Sequence, residues 1–299
     1  MKIGFFSFGC LGTPLEESLE KIAKIGYEAV EVSTWHKSWG EKILRALGEM
    51  PGNYKVGIPT WTRGHAYPGD LSPKERKDIK KMCDSLGLKV SALSAHLNCF
   101  DASEIFANRS PGQAIKEYLR DCFELASQWD VEVITTSSGR APMGMSSQES
   151  WNRLVDMIGF ELDQAREYQV KIGLEAHFGE IVRTPQDLLK LMEQIHDSFL
   201  GINLDCSHFV LGNFDPLKAT NALAKYVVHT HLKGMKGKLA VAPGEDEEFP
   251  TQAWVRTMRD SGYDGVIAIE LMPEIDTLPQ KAQKAFSYVD RILGDVSNR

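Results

Sequence analysis

VKIGLEAH (170–177), TPQDLLKLMEQIH (184–196) and LGINLDCSH (200–208) follow one another as apolar strand, amphipathic helix and apolar strand. Each strand segment finishes in ionisable side chains, Glu175 in the first and Asp205 in the second. The same rhythm continues on the C-terminal side. DPLKATNALAKY (215–226) reads as a helix, VVHTHLK (227–233) as a strand, TQAWVRTMRDSG (251–262) as a helix, GVIAIELM (265–272) as a strand and TLPQKAQKAFSYVDRILG (277–294) as a helix.

Upstream the pattern repeats. KIGFFSFG (2–9), AVEVST (29–34), KVSALSAH (89–96) and VEVITTSSG (131–139) supply four more strands. Between them lie PLEESLEKIAKIG (14–26), SPKERKDIKKMCDSLG (72–87), PGQAIKEYLRDCFELASQWD (111–130) and SQESWNRLVDMIGFELDQAREYQ (147–169) with helical spacing. Pro14 and the Ser72-Pro73 pair open helices, and Gly87 closes one, as helix-end preferences require. Eight strand–helix pairs in alternation predict an α/β fold, a parallel eight-stranded (β/α)8 TIM barrel. The competing doubly wound sheet lacks its glycine-rich phosphate turn after the first strand. We therefore expect residues 1–299 to form one barrel domain. Its one oversized connection, at about 35–71, holds Trp35, Trp39, Trp61, His65 and Tyr67. A loop of that length is often functional, and here it would make an apolar wall over the barrel mouth or a surface aromatic cluster.

Bulk properties narrow the function. The formal net charge of −7 disfavours a nucleic-acid partner, because phosphate binding needs a basic face. Five scattered cysteines show no CxxC pair and no disulfide framework, which predicts free thiols and a cytoplasmic location. Met1-Lys2 runs directly into the first strand without signal-peptide features, and no stretch reaches the roughly 20 apolar residues of a membrane helix.

The four C-terminal strands carry the chemistry. Side chains alternate along a strand, so Gly173, Glu175 and His177 share one face, opposite Ile172 and Leu174. Asn203 and Asp205 oppose Ile202 and Leu204; His229, His231 and Lys233 oppose Val228, Thr230 and Leu232; Ala268 and Glu270 oppose Ile267 and Ile269. If the bulky apolar set packs against the helices, the polar set points to the barrel axis, near the carboxyl ends where barrel enzymes place their chemistry. Burying the carboxylates of Glu175, Asp205 and Glu270 together is costly without a cation. One divalent ion held by Glu175, Asp205, His231 and Glu270 meets that cost. An oxygen-rich set with one imidazole suits Mn²⁺ first, with Mg²⁺, Co²⁺ or Zn²⁺ as alternatives. The competing arrangement is a set of interior salt bridges, with Lys233 supplying the charge.

LEAH with Glu175, NLDCSHF with Asp205 and His208, HTHLKG with His231, PGE at 243–245 and the GYDGVIAIE run ending at Glu270 together resemble the xylose isomerase-like barrel superfamily. The resemblance spans essentially the whole chain. It is to the sugar isomerase/epimerase branch, near the tagatose/psicose 3-epimerases, inosose dehydratases and AP-endonuclease relatives. It implies one divalent ion on Glu175, Asp205, His231 and Glu270, with His208 on a substrate oxygen. The three-zinc nuclease branch needs further histidines; strand four ends in serines where that branch has one, and only His96 matches an extra ligand. The epimerases place an arginine shortly after the strand-seven histidine, where this chain offers Lys233, Lys236 and Lys238.

The expected function follows. A metal-dependent sugar isomerase/epimerase would act on a ketose or keto-polyol through a metal-stabilised enediolate, with Glu175 and Glu270 exchanging the proton. The alternative is a lyase on the same site, dehydrating a cyclic keto-polyol or deglycosylating a keto-glycoside. A nuclease or an idle barrel ranks below both. His208, His96, Lys233 and Trp61 fall on the substrate side, and His177 and His229 share the ligands' face as orienting groups. KGMKGK (233–238) is either an anion grip or an ordinary surface loop. Relatives with this barrel are commonly dimers or tetramers, so a homodimer or homotetramer is expected.

Overall fold

The computed structural model describes residues 1–10, 13–35, 66–96, 111–273 and 278–297. Most of the 35–71 connection, including Trp39, Trp61 and His65, lies outside the described residues, as do His36 and Cys99.

Eight parallel strands close on themselves. They are β1 (Lys2–Phe6), β2 (Ala29–Ser33), β3 (Lys89–Ser94), β4 (Val133–Ser137), β5 (Lys171–Glu175), β6 (Leu200–Asp205), β7 (Val227–Leu232) and, after a small hairpin of β8 (Gly234–Lys236) and β9 (Leu239–Val241), β10 (Val266–Ile269). Neighbours around the ring run β1-β10-β7-β6-β5-β4-β3-β2. This is the predicted (β/α)8 barrel.

Local sequence sets the helix ends. Ser72 and Glu75 form a reciprocal capping box before Pro73–Ser85, and Thr184 and Asp187 form another before Pro185–Ile195. Helix Leu15–Ile25 ends at Gly26, whose φ of 115° lies in the left-handed region that a side chain resists. Ile172, Leu174, Ile202, Leu204, Ile267 and Ile269 all enter the main apolar core with helix residues such as Leu188, Leu191, Phe209 and Trp254. The alternation read from the strands is therefore the one the barrel uses, with apolar residues toward the helices.

Three segment ends differ from the sequence reading. The first strand stops at Phe6 and continues as a 3-10 turn, Ser7–Cys10. The sixth strand stops at Asp205, and Cys206–Leu211 forms a short helix that the apolar run concealed. The KGMKGK segment makes the first arm of the β8–β9 hairpin, with Lys236 paired to Asp246. Cys10, Cys83, Cys122 and Cys206 are free thiols. Among the described residues no helix is long and apolar enough to cross a membrane.

Candidate metal centre and active site

Strand register brings the four predicted ligands to one end of the barrel. Glu175 and Asp205 are the last residues of β5 and β6. On β7 His231 pairs in register with Asp205 on one side and with Ala268 on the other. Glu270 follows two residues beyond Ala268, so it returns to the same face just past the end of β10.

The convergence is close. Ligand atoms of Glu175, Asp205 and His231 all lie within 4.8 Å of one another. Nδ1 of His231 is 2.9 Å from Glu175 Oε2 and 3.1 Å from Glu270 Oε2. Glu270 thus joins the group through His231, standing slightly apart from the tighter trio. All four are buried, Glu175, Asp205 and His231 almost completely.

Lys233 reaches the predicted pocket but spends its charge on the carboxylates. Its Nζ lies 2.6 Å from Asp205 Oδ2 and 2.9 Å from Glu270 Oε1. Part of the competing salt-bridge arrangement is therefore present. Lys233 itself does not pair with Glu175, whose partners are imidazoles, with His177 and His231 nearest, and an amide. His177 Nε2 stands 2.9 Å from Glu175 Oε1, His208 Nε2 3.5 Å from the same oxygen, and His96 Nε2 3.6 Å from Oε2. Asn203 donates to Glu175 Oε2 at 2.6 Å.

These contacts set the charges. Burial would raise the Glu175 carboxyl, but His231, His177 and His96 together carry it well below the usual carboxylate range. Burial likewise works against Asp205, and Lys233 beside it prevails and holds it low. Burial pushes His96 down to about 3, and burial with the neighbouring His177 does the same for His208, so both rings are neutral at ordinary pH. His177 goes the other way, to about 9: burial opposes its charge, and the Glu175 carboxylate outweighs it.

His208 sits in the short helix after β6, its ring stacked on His177 with centroids 4.2 Å apart. Its Nδ1 accepts from the Phe178 backbone N–H, which leaves Nε2 facing Glu175 and Asp205. His96, two residues beyond the end of β3, is buried, and its Nε2 has no hydrogen-bond partner among the described residues. Trp61, the remaining predicted substrate contact, lies outside the described residues.

Sequence reasoning missed three groups, Glu31, Thr135 and Glu180, and placed a fourth, Asn203, on the inward face without a role. Glu31 in the middle of β2 is fully buried and touches both β7 histidines. Its signal was present: an acid flanked by valines in a buried strand needs partners. Thr135 on β4 donates to Glu31, and Asn203 on β6 contacts both Glu175 and His231. Glu180, beyond the end of β5, accepts from the Gly139 backbone at 2.7 Å and from Ser138 at 3.2 Å, bracing the mouth loops.

The residues fit a divalent cation by their chemistry. Three carboxylates and an imidazole nitrogen face one another where the Lys233 ammonium reaches only two of them, and the Oδ1 of Asn203 alongside is buried with no hydrogen-bond partner among the described residues.

Known proteins resemble this chain in sequence and in fold. An inosose dehydratase of Geobacillus thermodenitrificans is 23% identical over 210 residues, covering 67% of this chain and 68% of the relative. A crystal structure of a D-tagatose 3-epimerase-like protein superposes with a TM-score of 0.77 at 23% identity, covering 100% of this chain and 99% of that one. That of the IOLI protein with a binding zinc atom gives 0.70 at 18% identity, covering 99% and 98%. At these identities the structural likenesses show the fold. Residues 19–291 match the family described as xylose isomerase-like TIM barrel, and the chain belongs to that family.

Proposed function

We propose that this chain is a divalent-metal-dependent sugar isomerase or epimerase acting on a ketose or keto-polyol. The observation that carries the reading is the meeting of Glu175, Asp205 and His231 within 4.8 Å, with Glu270 Oε2 3.1 Å from His231. One divalent cation held by Glu175, Asp205, His231 and Glu270, Mn²⁺ before Mg²⁺, Co²⁺ or Zn²⁺, would supply Lewis acidity to a carbonyl oxygen. The zinc atom bound by the structurally similar IOLI protein supports a divalent ion without choosing among these.

The protein's own residues handle the proton. Glu175 is held ionised by its imidazole neighbours, so it can accept a proton from the carbon beside a carbonyl. Glu270 comes from a strand three steps away around the ring and approaches from the other wall. Delivery of a second proton to the opposite face by Glu270, which must first take it up from solvent, inverts the centre while Glu175 gives its own to solvent. Return of the Glu175 proton to the adjacent carbon, with a hydroxyl proton passing between the two oxygens, exchanges aldose and ketose. His208 Nε2 and His96 Nε2 are neutral polar groups beside the Glu175 carboxylate, suited to sugar hydroxyls. Lys233, tied to two carboxylates, serves the site as their counter-charge and meets substrate only by leaving one of them.

The inosose dehydratase relative favours a second reading, a lyase on the same groups. Loss of a β-hydroxyl after the same proton abstraction gives dehydration. Incubation with Mn²⁺ and a ketose and keto-polyol panel in D₂O separates the two. Solvent deuterium in a sugar isomer is the expected result, loss of water establishes the lyase, and no Mn²⁺-dependent change with any member contradicts both.

A further inference from the structure

Glu31 lies inside the barrel on β2, fully buried, and a lone carboxylate there would be strongly disfavoured. Three side chains from two other strands answer it. Thr135 Oγ1 on β4 donates to Oε1 at 2.6 Å. Nε2 of His229 and Nε2 of His231, both on β7, converge on Oε2 at 2.9 and 2.6 Å. An ionised carboxylate only accepts hydrogen bonds, so each of these nitrogens carries its hydrogen toward Glu31.

That commitment has a consequence at the other edge of the ring. With Nε2 of His231 turned to Glu31, Nδ1 is the nitrogen that faces the barrel mouth, where it shares a hydrogen with Glu175 and Glu270 at 2.9 and 3.1 Å that a bound cation would displace. The Phe6 ring lies nearly parallel on His231, with centroids 4.7 Å apart and 14° between planes, and hinders rotation of the imidazole. Metal-binding histidines are commonly oriented by a carboxylate on the nitrogen that does not bind.

We propose that Glu31 is a positioning residue, which, braced by His229 and Thr135, selects Nδ1 of His231 as the atom presented to the cation. The inference rests on the metal-dependent reading above and extends it to residues that never touch substrate. A rival use of the same groups is an ion held by Glu31, His229 and His231 themselves, since their ligand atoms also lie within 4.8 Å of one another. The 2.6 Å separation of His231 Nε2 from Glu31 Oε2 argues for a shared hydrogen, because two ligands at about 2.1 Å on one cation stand roughly 3 Å or more apart.

The test uses the full chain, stripped of metal and titrated with Zn²⁺ by calorimetry. Histidine nitrogen-15 spectra of the Zn²⁺-loaded protein read which ring nitrogen carries the hydrogen. Wild type should take one equivalent, with His231 protonated at Nε2. Glu31→Gln should weaken Zn²⁺ binding about ten- to hundredfold and lose the single tautomer. Its turnover should recover at saturating metal, with KM for substrate unchanged. Thr135→Val keeps the carboxylate but loosens it, and should weaken binding by less; it carries the test if Glu31→Gln fails to fold.

Wild-type Zn²⁺ affinity and an unchanged His231 tautomer in the folded variants would overturn the inference while leaving the proposed function standing. Two equivalents in wild type and one in Glu31→Gln would make Glu31 a ligand, which also overturns it. No Zn²⁺ or Mn²⁺ uptake by wild type would remove the proposed function and this inference together.

Discussion

Lys233 donates to Asp205 across 2.6 Å at the end of β6, and the same ammonium lies 2.9 Å from Glu270. One side chain thus neutralises two of the four groups that would share a cation. The lysine is buried; burial opposes its charge, but Asp205 and Glu270 raise its pKa above the ordinary lysine value. Lysine and a divalent ion held as proposed would therefore compete for Asp205 Oδ2.

Lys233→Met tests that competition. Without metal the variant strips Asp205 of its ammonium partner and leaves Glu270 with His231 alone, and should lose roughly 3–5 kcal/mol of stability, the usual cost of breaking a buried pair from one side. Mn²⁺ should restore most of the loss and bind more tightly than to wild type. Chemical denaturation in EDTA and in Mn²⁺ measures both, and equal stabilities of variant and wild type in EDTA would refute the pairing's importance.

Glu175→Gln and Glu270→Gln should fail in different ways. Glu175 belongs to the mutually close trio, whereas Glu270 reaches it through His231. The first variant should lose both metal and turnover. The second should keep a large part of its metal while turnover falls by at least about a hundredfold, the scale of a lost acid–base group. Metal analysis after dialysis, beside an isotope-exchange assay, distinguishes them; substantial activity in both would overturn the two-carboxylate assignment.

The barrel was legible because its two periodicities are clean. Ile172, Leu174, Ile202 and Leu204 pack outward as their alternation requires, and Glu175 and Asp205 fall at strand ends in consequence. What escaped was partnership rather than position. Glu31 reads as one acid among valines, and its partners His229 and His231 lie 198 and 200 positions away, joined only by closure of the ring. Lys233 reads both as a substrate contact and as the charge of an interior salt bridge, because sequence does not say whether a charge meets ligand or its own neighbours. The second pairing is the one present, with Asp205 and Glu270. The helix Cys206–Leu211 escaped because its apolar residues continue the run of β6; Asp205 ends the strand by accepting from the Ser207 backbone N–H.

Glu161 offers a pH test away from the site. It is buried on helix Ser147–Tyr168, and burial pushes its carboxyl up to about 8. The unfolded chain releases this proton near 4.5, while the folded chain keeps it until about 8. Its contribution to stability is complete below about 4.5 and drains away as pH rises toward 8. Glu161→Gln removes that slope. At pH 8 its melting temperature should exceed that of wild type, by about 2–4 °C for each kcal/mol recovered. Parallel melting curves for the two proteins from pH 5 to 8.5 would contradict the assignment.

Gly201 on β6 tests the packing of the strands beneath the site. A Cβ there would stand 2.4 Å from Val228 Cγ1 and 2.9 Å from the Tyr226 carbonyl oxygen. Val228 is branched and the carbonyl is backbone, so neither yields cheaply. Gly201→Ala should cost about 1–3 kcal/mol in chemical denaturation, and a wild-type midpoint would show that β6 and β7 have more room than these distances allow.

Anomalous diffraction at the manganese edge, from crystals grown with Mn²⁺, bears most directly on the proposed site. We expect a single peak bonded to Glu175, Asp205, Glu270 and Nδ1 of His231, with Lys233 withdrawn from Asp205. No peak there, with Lys233 still bridging Asp205 and Glu270 at saturating Mn²⁺, would contradict it.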